Sequence, residues 1–130
     1  PNSTGQTSTM IASNVDLTLR TMDLEAVNLT QNAFGYFIAS LTQGFIPNAG
    51  GSQGNLCLAG NIGRGVGGGI LFSGPTGAFD TLVDLDQIPS PTGMTSAMSG
   101  DRWHFQAWHR DSVLGFATSN FSDGVWVQFP

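Results

Sequence analysis

The chain carries little charge, and very little of that charge is positive. Its 130 residues include four arginines and no lysine against nine acidic residues, for a formal net charge of −5. Charged residues make up 10 % of the chain, against about 25 % in an ordinary soluble domain. Nucleic acids and anionic lipid surfaces both need a basic face on the protein that binds them. The composition therefore predicts no nucleic-acid partner and no docking on such lipids.

Strong helix formers and long apolar runs are also scarce. Glu25 is the only glutamate, and glycine occurs 18 times, so long helices and coiled coils are not expected. No apolar run approaches the roughly 20 residues of a membrane span, so we expect no membrane insertion.

Cysteine occurs once, which excludes an intrachain disulfide. Cys57 lies in Leu56-Cys57-Leu58, which we interpret as a short strand with a buried thiol. The chain begins at Pro1 rather than at methionine, which suggests processing or excision from a longer precursor. The lack of lysine and the many Ser, Thr, Asn, Gln and Gly residues favour an extracellular location.

Apolar residues recur with a period of two along most of the chain, which is typical of half-buried β-strands. The alternation is clearest over 79–85, 102–110 and 125–129; it also predicts a strand over 15–19 that bends and continues to residue 26. Residues 111–124 are expected to form a loop. About seven or eight short strands predict an all-β domain, arranged as an antiparallel two-sheet β-sandwich of the jelly-roll or immunoglobulin-like kind. A small closed barrel is the alternative.

The first nine residues differ from the rest. They are polar and lack apolar periodicity, so residues 1–9 are predicted to form an extended arm and residues 10–130 a single domain. Such an arm stays ordered when it pairs with a sheet edge, in its own subunit or in a neighbouring copy. The candidate assembly residues of this arm are Asn2, Ser3, Thr4, Gln6, Thr7 and Thr9.

Two patterns resemble binding motifs but are interpreted as structural. Gly63, Gly65 and Gly68 match the dinucleotide fingerprint, yet the residues that follow cannot form the helix that this mechanism needs. A loop or a crossing between sheets is the better interpretation. His104 and His109 are the only histidines, and side chains five residues apart on one strand point to opposite faces. We therefore predict no shared metal, one packed histidine and one exposed histidine.

Aspartates supply most of the negative charge. They are interpreted as solvated strand faces and turn formers, and no pair suited to acid–base hydrolysis is evident. We predict no enzyme activity and no cofactor. Calcium is the one ion that these carboxylates could bind, because calcium prefers oxygen ligands. The candidates are Asp80, Asp84 and Asp86 on one strand face, and Asp101, Asp111 and Asp123 at strand ends and in loops.

Tryptophans are the remaining candidates for function. Trp103 and Phe105 are expected in the core, whereas Trp108 and Trp126 share their strand faces with hydrogen-bonding side chains. Such a mixture could stack on sugars, form a subunit interface or build a second core layer, and these three interpretations stay open. The full candidate surface is His104, Gln106, Trp108, Arg110, Trp126 and Gln128.

Several longer motifs together resemble a module of secreted bacterial proteins. In the first half they are Asn32-Ala-Phe-Gly-Tyr-Phe, Thr42-Gln-Gly-Phe, Pro47-Asn-Ala-Gly-Gly-Ser-Gln-Gly-Asn-Leu-Cys-Leu-Ala-Gly and Asn61-Ile-Gly-Arg. In the second half they are Ser73-Gly-Pro, Val83-Asp-Leu, Asp101-Arg-Trp-His-Phe-Gln-Ala-Trp-His-Arg-Asp and Thr118-Ser-Asn-Phe-Ser-Asp-Gly-Val. The resemblance runs from about residue 28 to residue 129. It implies an accessory, often C-terminal, module of a multidomain surface or secreted protein, and it carries over no activity and no site residue.

These observations lead to one functional expectation and one alternative. We expect a non-catalytic structural or adhesive module at the bacterial cell surface or outside the cell. It acts through contacts with copies of itself or with other extracellular proteins, and its arm adds as a strand to a neighbour in a fibre or surface layer. The alternative is a carbohydrate-binding module that takes a polysaccharide.

Overall fold

The computed structural model describes residues 1–130, which form twelve β-strands and two 3₁₀ turns of three residues each, Ala49–Gly51 and Gly74–Thr76. Neither turn is long enough to cross a membrane. In chain order the strands are β1 (Thr9–Asp16), β2 (Thr21–Val27), β3 (Phe34–Ser40), β4 (Thr42–Pro47), β5 (Asn55–Ala59), β6 (Gly63–Arg64), β7 (Leu71–Phe72), β8 (Phe79–Asp84), β9 (Ile88–Ser90), β10 (Gly93–Thr95), β11 (Arg102–Val113) and β12 (Phe116–Gln128).

Two antiparallel sheets supply the main core. The first sheet has the order β1-β2-β8; the second has the order β12-β11-β3-β6, with β7 also paired to β3. In β2 the buried residues Met22, Leu24 and Ala26 alternate with half-buried neighbours, as a period of two requires. Phe37 of β3 and Phe105 of β11 are fully buried in the second sheet. The predicted all-β class with antiparallel strands is confirmed.

Side chains from both sheets meet in one cluster of 17 buried residues. Phe37 of the second sheet packs edge-on against Phe79 of the first, with 5.2 Å between ring centroids. Trp103 and Phe105 belong to this cluster, as predicted. The inward faces of both sheets therefore contribute to the same core.

The structure has twelve strands rather than about seven or eight, and β1 begins at Thr9 rather than at residue 15. The limits also differ in two further places. Residues 17–20 form the turn between β1 and β2 rather than part of a strand, so the alternation at Val15, Leu17 and Leu19 is misleading. Residues 111–124 are strand rather than loop, apart from a two-residue turn at Leu114 and Gly115. Both turn residues have positive φ, as a tight hairpin turn requires. The first half of β12 was missed because its sequence is polar and does not alternate with apolar residues. β12 lies at the edge of its sheet.

The hairpin of β4 and β5 folds over the outward face of the second sheet. The hydroxyl of Ser40 donates to the carbonyl of Ala59 at 2.5 Å, which ties the hairpin to the end of β3. Leu58 of the hairpin and Ile38 of β3 are both buried, outside the main cluster.

The glycine-rich segment after β6 crosses between the two sheets, as one of the two interpretations proposed. Gly63 pairs with β3 of the second sheet, while Gly67 lies against the side chain of Thr81 in the first. A Cβ atom on Gly63 would collide with the carbonyl oxygen of Pro89. Glycine is therefore required there by close packing of two backbones.

Candidate functional site

The six candidate surface residues all point outward from the second sheet. His104, Gln106, Trp108 and Arg110 alternate with core residues along β11. The register places Trp126 of β12 opposite His104, and Gln128 opposite Arg102. Since directly paired residues point to the same side of a sheet, one outward face carries the whole set.

The β4–β5 hairpin divides this face into two parts by covering its middle. Gln106 is fully buried: its side-chain oxygen accepts from the backbone N–H of Cys57 at 2.9 Å, and its amide donates to the carbonyls of Asn55 and Ser122. The prediction that Gln106 lies on an accessible surface is therefore wrong. Its bonds to Asn55 and Cys57 instead hold the hairpin against the sheet, and its bond to Ser122 joins β11 to β12.

His104 is also largely covered, contrary to the expectation of an exposed histidine. Its exposure is 9 %, and it lines a small cavity beside Leu58 and Trp126. Burial lowers the pKa of His104, and the nearby Arg102 guanidinium lowers it further. The neutral imidazole is therefore favoured at this position. His109 points to the other side of the sheet, as the spacing predicted.

An aromatic groove opens on one side of the hairpin. Its volume is about 490 Å³. Tyr36 and Trp108 form its floor; they lie opposite each other in the register and stack with 5.0 Å between ring centroids. Both rings are half-buried, so part of their surface faces the groove. The guanidinium of Arg110 lies 5.2 Å from the centre of the Trp108 ring.

A second arginine lies at the opposite end of the same groove. Arg64 of β6 pairs with Ile38, the next outward residue after Tyr36 on β3. From the usual rise and spacing of strands, the Cα atoms of Arg64 and Arg110 are about 16 Å apart, across the aromatic pair. Both arginines are exposed. Neither Tyr36 nor Arg64 was among the residues predicted from sequence.

The groove contains no negative charge. None of its eleven lining residues is acidic. The single ion pair of the molecule joins Arg20 to Asp86, at 2.9 Å, in a different part of the structure. Arg64 and Arg110 thus have no carboxylate partner, although acidic residues outnumber arginines by nine to four.

Trp126 forms a separate patch on the other side of the hairpin. It is 54 % exposed, with the guanidinium of Arg102 lying 4.2 Å from the ring centre. Gln128 is turned toward its own chain, because its amide donates to the carbonyls of Gly100 and Asp101. This patch has no groove comparable to the one around Trp108.

The first eight residues lie against their own domain. Residues 2–6 form a turn rather than an extended arm, closed by the N–H of Asn2 donating to the carbonyl of Gln6 at 2.8 Å. Asn2 and Ser8 are buried, and the Asn2 amide donates to the carbonyl of Asn28. The predicted extended shape is therefore wrong, and Thr9 already belongs to β1. Thr4 and Gln6 are exposed within the turn, and Thr7 follows it, also exposed.

A buried carboxylate holds this segment in place. Asp111 of β11 accepts from the N–H of Ser3 at 3.1 Å, from the Thr30 hydroxyl at 2.8 Å and from the Asn120 amide at 3.0 Å. Burial raises the pKa of Asp111, but these donors and the N–H of Ser112 outweigh it and bring the pKa to about 2. Asp111 lies within a strand and not in the predicted loop.

The same region contains a serine–histidine contact with no access to solvent. The hydroxyl of Ser8 lies 3.2 Å from Nε2 of His109, and both side chains are buried. Burial lowers the pKa of His109, although the carbonyl of Arg110 and the charge of Asp111 act in the opposite direction. This contact therefore ties Ser8 to the domain and presents no reactive group to a substrate.

The remaining titratable candidates are dispersed. Asp80 and Asp84 point outward from β8, whereas Asp86 follows the strand and pairs with Arg20. No group of three or more His, Cys, Asp or Glu residues lies together. The thiol of Cys57 is half-buried rather than buried. Burial raises the pKa of Cys57, more than the hydrogen bond with Gln106 lowers it, so the reactive thiolate is disfavoured.

Comparison with known proteins adds no further guide to the site. No family model matches the chain, and no curated protein or solved structure matches it.

Proposed function

We propose that this chain is a non-catalytic, extracellular carbohydrate-binding module whose ligand site is the groove over Tyr36 and Trp108. The observation that carries the proposal is the stacked aromatic pair with hydrogen-bonding arginines at both ends of one open groove. Ligand sites are lined mainly by apolar and aromatic side chains, with a few polar groups that fix the orientation of the ligand. Here the exposed parts of the Tyr36–Trp108 pair supply the apolar contact, and the arginines supply donors for the sugar hydroxyls. The proposed architecture is a two-sheet β-sandwich, since both sheets contribute to one core.

The chemistry of the groove supports binding rather than hydrolysis. Glycoside hydrolysis ordinarily uses two carboxyl groups on either side of the scissile bond. The groove offers none, and it also lacks histidine and cysteine. A secreted accessory module, as the resemblance implies, fits a surface that recruits a polysaccharide without altering it.

The proposal is tested by binding to a panel of immobilised neutral and acidic polysaccharides. Trp108→Leu is expected to abolish retention on the polysaccharide that the unmodified chain binds. Trp126→Leu is the matched control, because Trp126 belongs to the separate patch. Thermal melts verify that both variants are folded. Retention lost in the Trp126 variant and kept in the Trp108 variant contradicts the assignment of the groove.

A second candidate function is assembly between copies of the chain, which the distribution of charge favours. Asp23, Glu25, Asp80 and Asp84 point outward from the first sheet, and Glu25 lies directly opposite Asp80. Arginines point outward from the second sheet, so the two outward faces have complementary charge. Strand addition through residues 1–9 has less support, because Asn2, Ser3 and Ser8 are bonded within the same chain.

Sedimentation at micromolar concentration, in low and high salt, tests the assembly function. Association that weakens as salt rises supports contact between the charged faces. A chain lacking residues 1–8 tests the arm separately: association that falls in low salt assigns a role to the arm, and unchanged association leaves the charged faces as the interface. A monomer under all conditions ends this second candidate.

A further inference from the structure

The two arginines of the groove indicate the charge of the sugar that it binds. Resting on the proposed function, we infer that the groove binds an anionic oligosaccharide, whose carboxylate or sulfate groups meet Arg64 and Arg110 while a sugar ring contacts the exposed parts of the Tyr36–Trp108 pair. The site is thereby assigned a ligand chemistry, and each arginine has a separate role at one end of it.

The first argument is the lack of a partner for either guanidinium. Arginine ordinarily meets carboxylate or phosphate groups through paired, charge-assisted hydrogen bonds. Arg64 and Arg110 have no carboxylate within ion-pair distance and none in the lining of the groove. In a chain with nine acids and four arginines, two unpaired arginines in one groove indicate that negative charge arrives with the ligand.

The second argument is the direction in which the protein's own acids point. Four of them lie on the outward face of the first sheet, which points away from the groove. Packed sheets are about 10 Å apart, which is close to the screening length of physiological salt. An acidic polymer is therefore repelled by the far face and attracted by the arginine face, so the uneven distribution of charge, and not the net charge of −5, directs the polymer toward the groove.

The third argument is the spacing of the charges. The Cα atoms of the two arginines are about 16 Å apart on either side of the aromatic pair, and the Arg110 guanidinium reaches back to 5.2 Å from the Trp108 ring centre. A ligand that lies along the groove can therefore meet both guanidinium groups and the aromatic pair. An oligosaccharide with repeated negative charges has the length and the charge to do so.

Calorimetric titration of the full chain with four probes tests this inference. The probes are an oligogalacturonate for carboxylate, a carrageenan oligosaccharide for sulfate, cellohexaose as a neutral sugar and polyglutamate as a charged polymer without sugar. We expect binding of at least one anionic sugar, weaker binding in high salt and no comparable binding of cellohexaose or polyglutamate. Which of the two anionic sugars binds distinguishes the carboxylate from the sulfate source.

Three variants locate the charge contact. Arg64→Gln and Arg110→Gln are each expected to weaken binding at least about tenfold, as the loss of a charge-assisted contact implies. Arg102→Gln is the matched control, because it removes an exposed arginine from the same outward face but outside the groove. Its affinity should stay within about twofold of the unmodified chain.

The possible results separate this inference from the function on which it rests. Equal binding of cellohexaose, with Arg64 and Arg110 variants unaffected, overturns the anionic ligand and leaves a carbohydrate-binding module. No binding of any sugar overturns both. Polyglutamate binding as tightly as the sugars shows unspecific charge attraction and overturns the inference. Self-association that both groove variants abolish, without sugar binding, makes the groove an interface between copies and likewise overturns it.

Discussion

Replacing Asp111 by asparagine should release the first residues of the chain and make the fold less sensitive to acid. The Asp111 carboxylate accepts hydrogen bonds from Ser3, Thr30 and Asn120. An asparagine side chain has nearly the same size, but it replaces one carboxylate oxygen by an NH₂ group. That NH₂ group would face hydrogen-bond donors instead of accepting from them. Because the pKa of Asp111 is lowered to about 2 in the folded chain, the charged form stabilises the fold above the ordinary value of 3.8. That stability is lost as the pH falls from about 4 toward 2.

The magnitude follows from the same displacement of the pKa. Lowering the pKa from 3.8 to about 2 corresponds to an upper limit of about 2.4 kcal/mol of stability at neutral pH. Screening by solvent reduces this contribution to about 2 kcal/mol or less. For a domain of this size, such a loss lowers the melting temperature by roughly 6–10 °C. The variant should therefore be clearly less stable at pH 7, whereas at pH 2 the two chains should differ little.

Urea unfolding at several pH values, followed by tryptophan fluorescence, measures this difference. Asp80→Asn is the matched control, because Asp80 is exposed on β8 and faces Glu25, so its loss of charge should cost nothing. Hydrogen exchange at the N–H of Ser3 should also become faster in the Asp111 variant. A stability gap between wild type and Asp111→Asn that is the same at pH 7 and pH 2 refutes this reasoning.

Three further predictions concern the core, the sheet crossing and the buried histidine. Phe37→Ala should cost about 3–5 kcal/mol in urea unfolding, whereas Phe116→Ala, at an exposed position, should cost under about 0.5 kcal/mol. Gly63→Ala should lower the melting temperature strongly, because its Cβ meets the Pro89 carbonyl; Gly68→Ala should not, since its Cβ meets only side-chain atoms of Leu71 and Thr81. His109→Gln should reduce the loss of stability below pH 6.5, because burial lowers the pKa of His109 and the folded chain binds its proton less readily than the unfolded chain; equal slopes in both chains contradict this.

Strands that alternate cleanly were predictable from the sequence. In β8 and β11 the apolar residues fall on every second position, and one face of each strand enters the core, as at Phe79, Val83 and Phe105. The same rule failed at residues 15–19, where the alternation continued into a turn. It missed the start of β12, which is rich in polar residues. This strand lies at the edge of its sheet, so a strand pairs with it on one side only.

Inward and outward faces were thus encoded locally, because the backbone of a strand turns each successive side chain to the opposite side. Which strands become neighbours is not encoded in that way, since it depends on contacts between residues far apart in the chain. Arg64, Tyr36 and Arg110 lie on three different strands and come together only through the order β11-β3-β6. The hairpin of β4 and β5 buries Gln106 and leaves Trp108 open for the same reason: its position results from long-range packing, and no local pattern of residues records it.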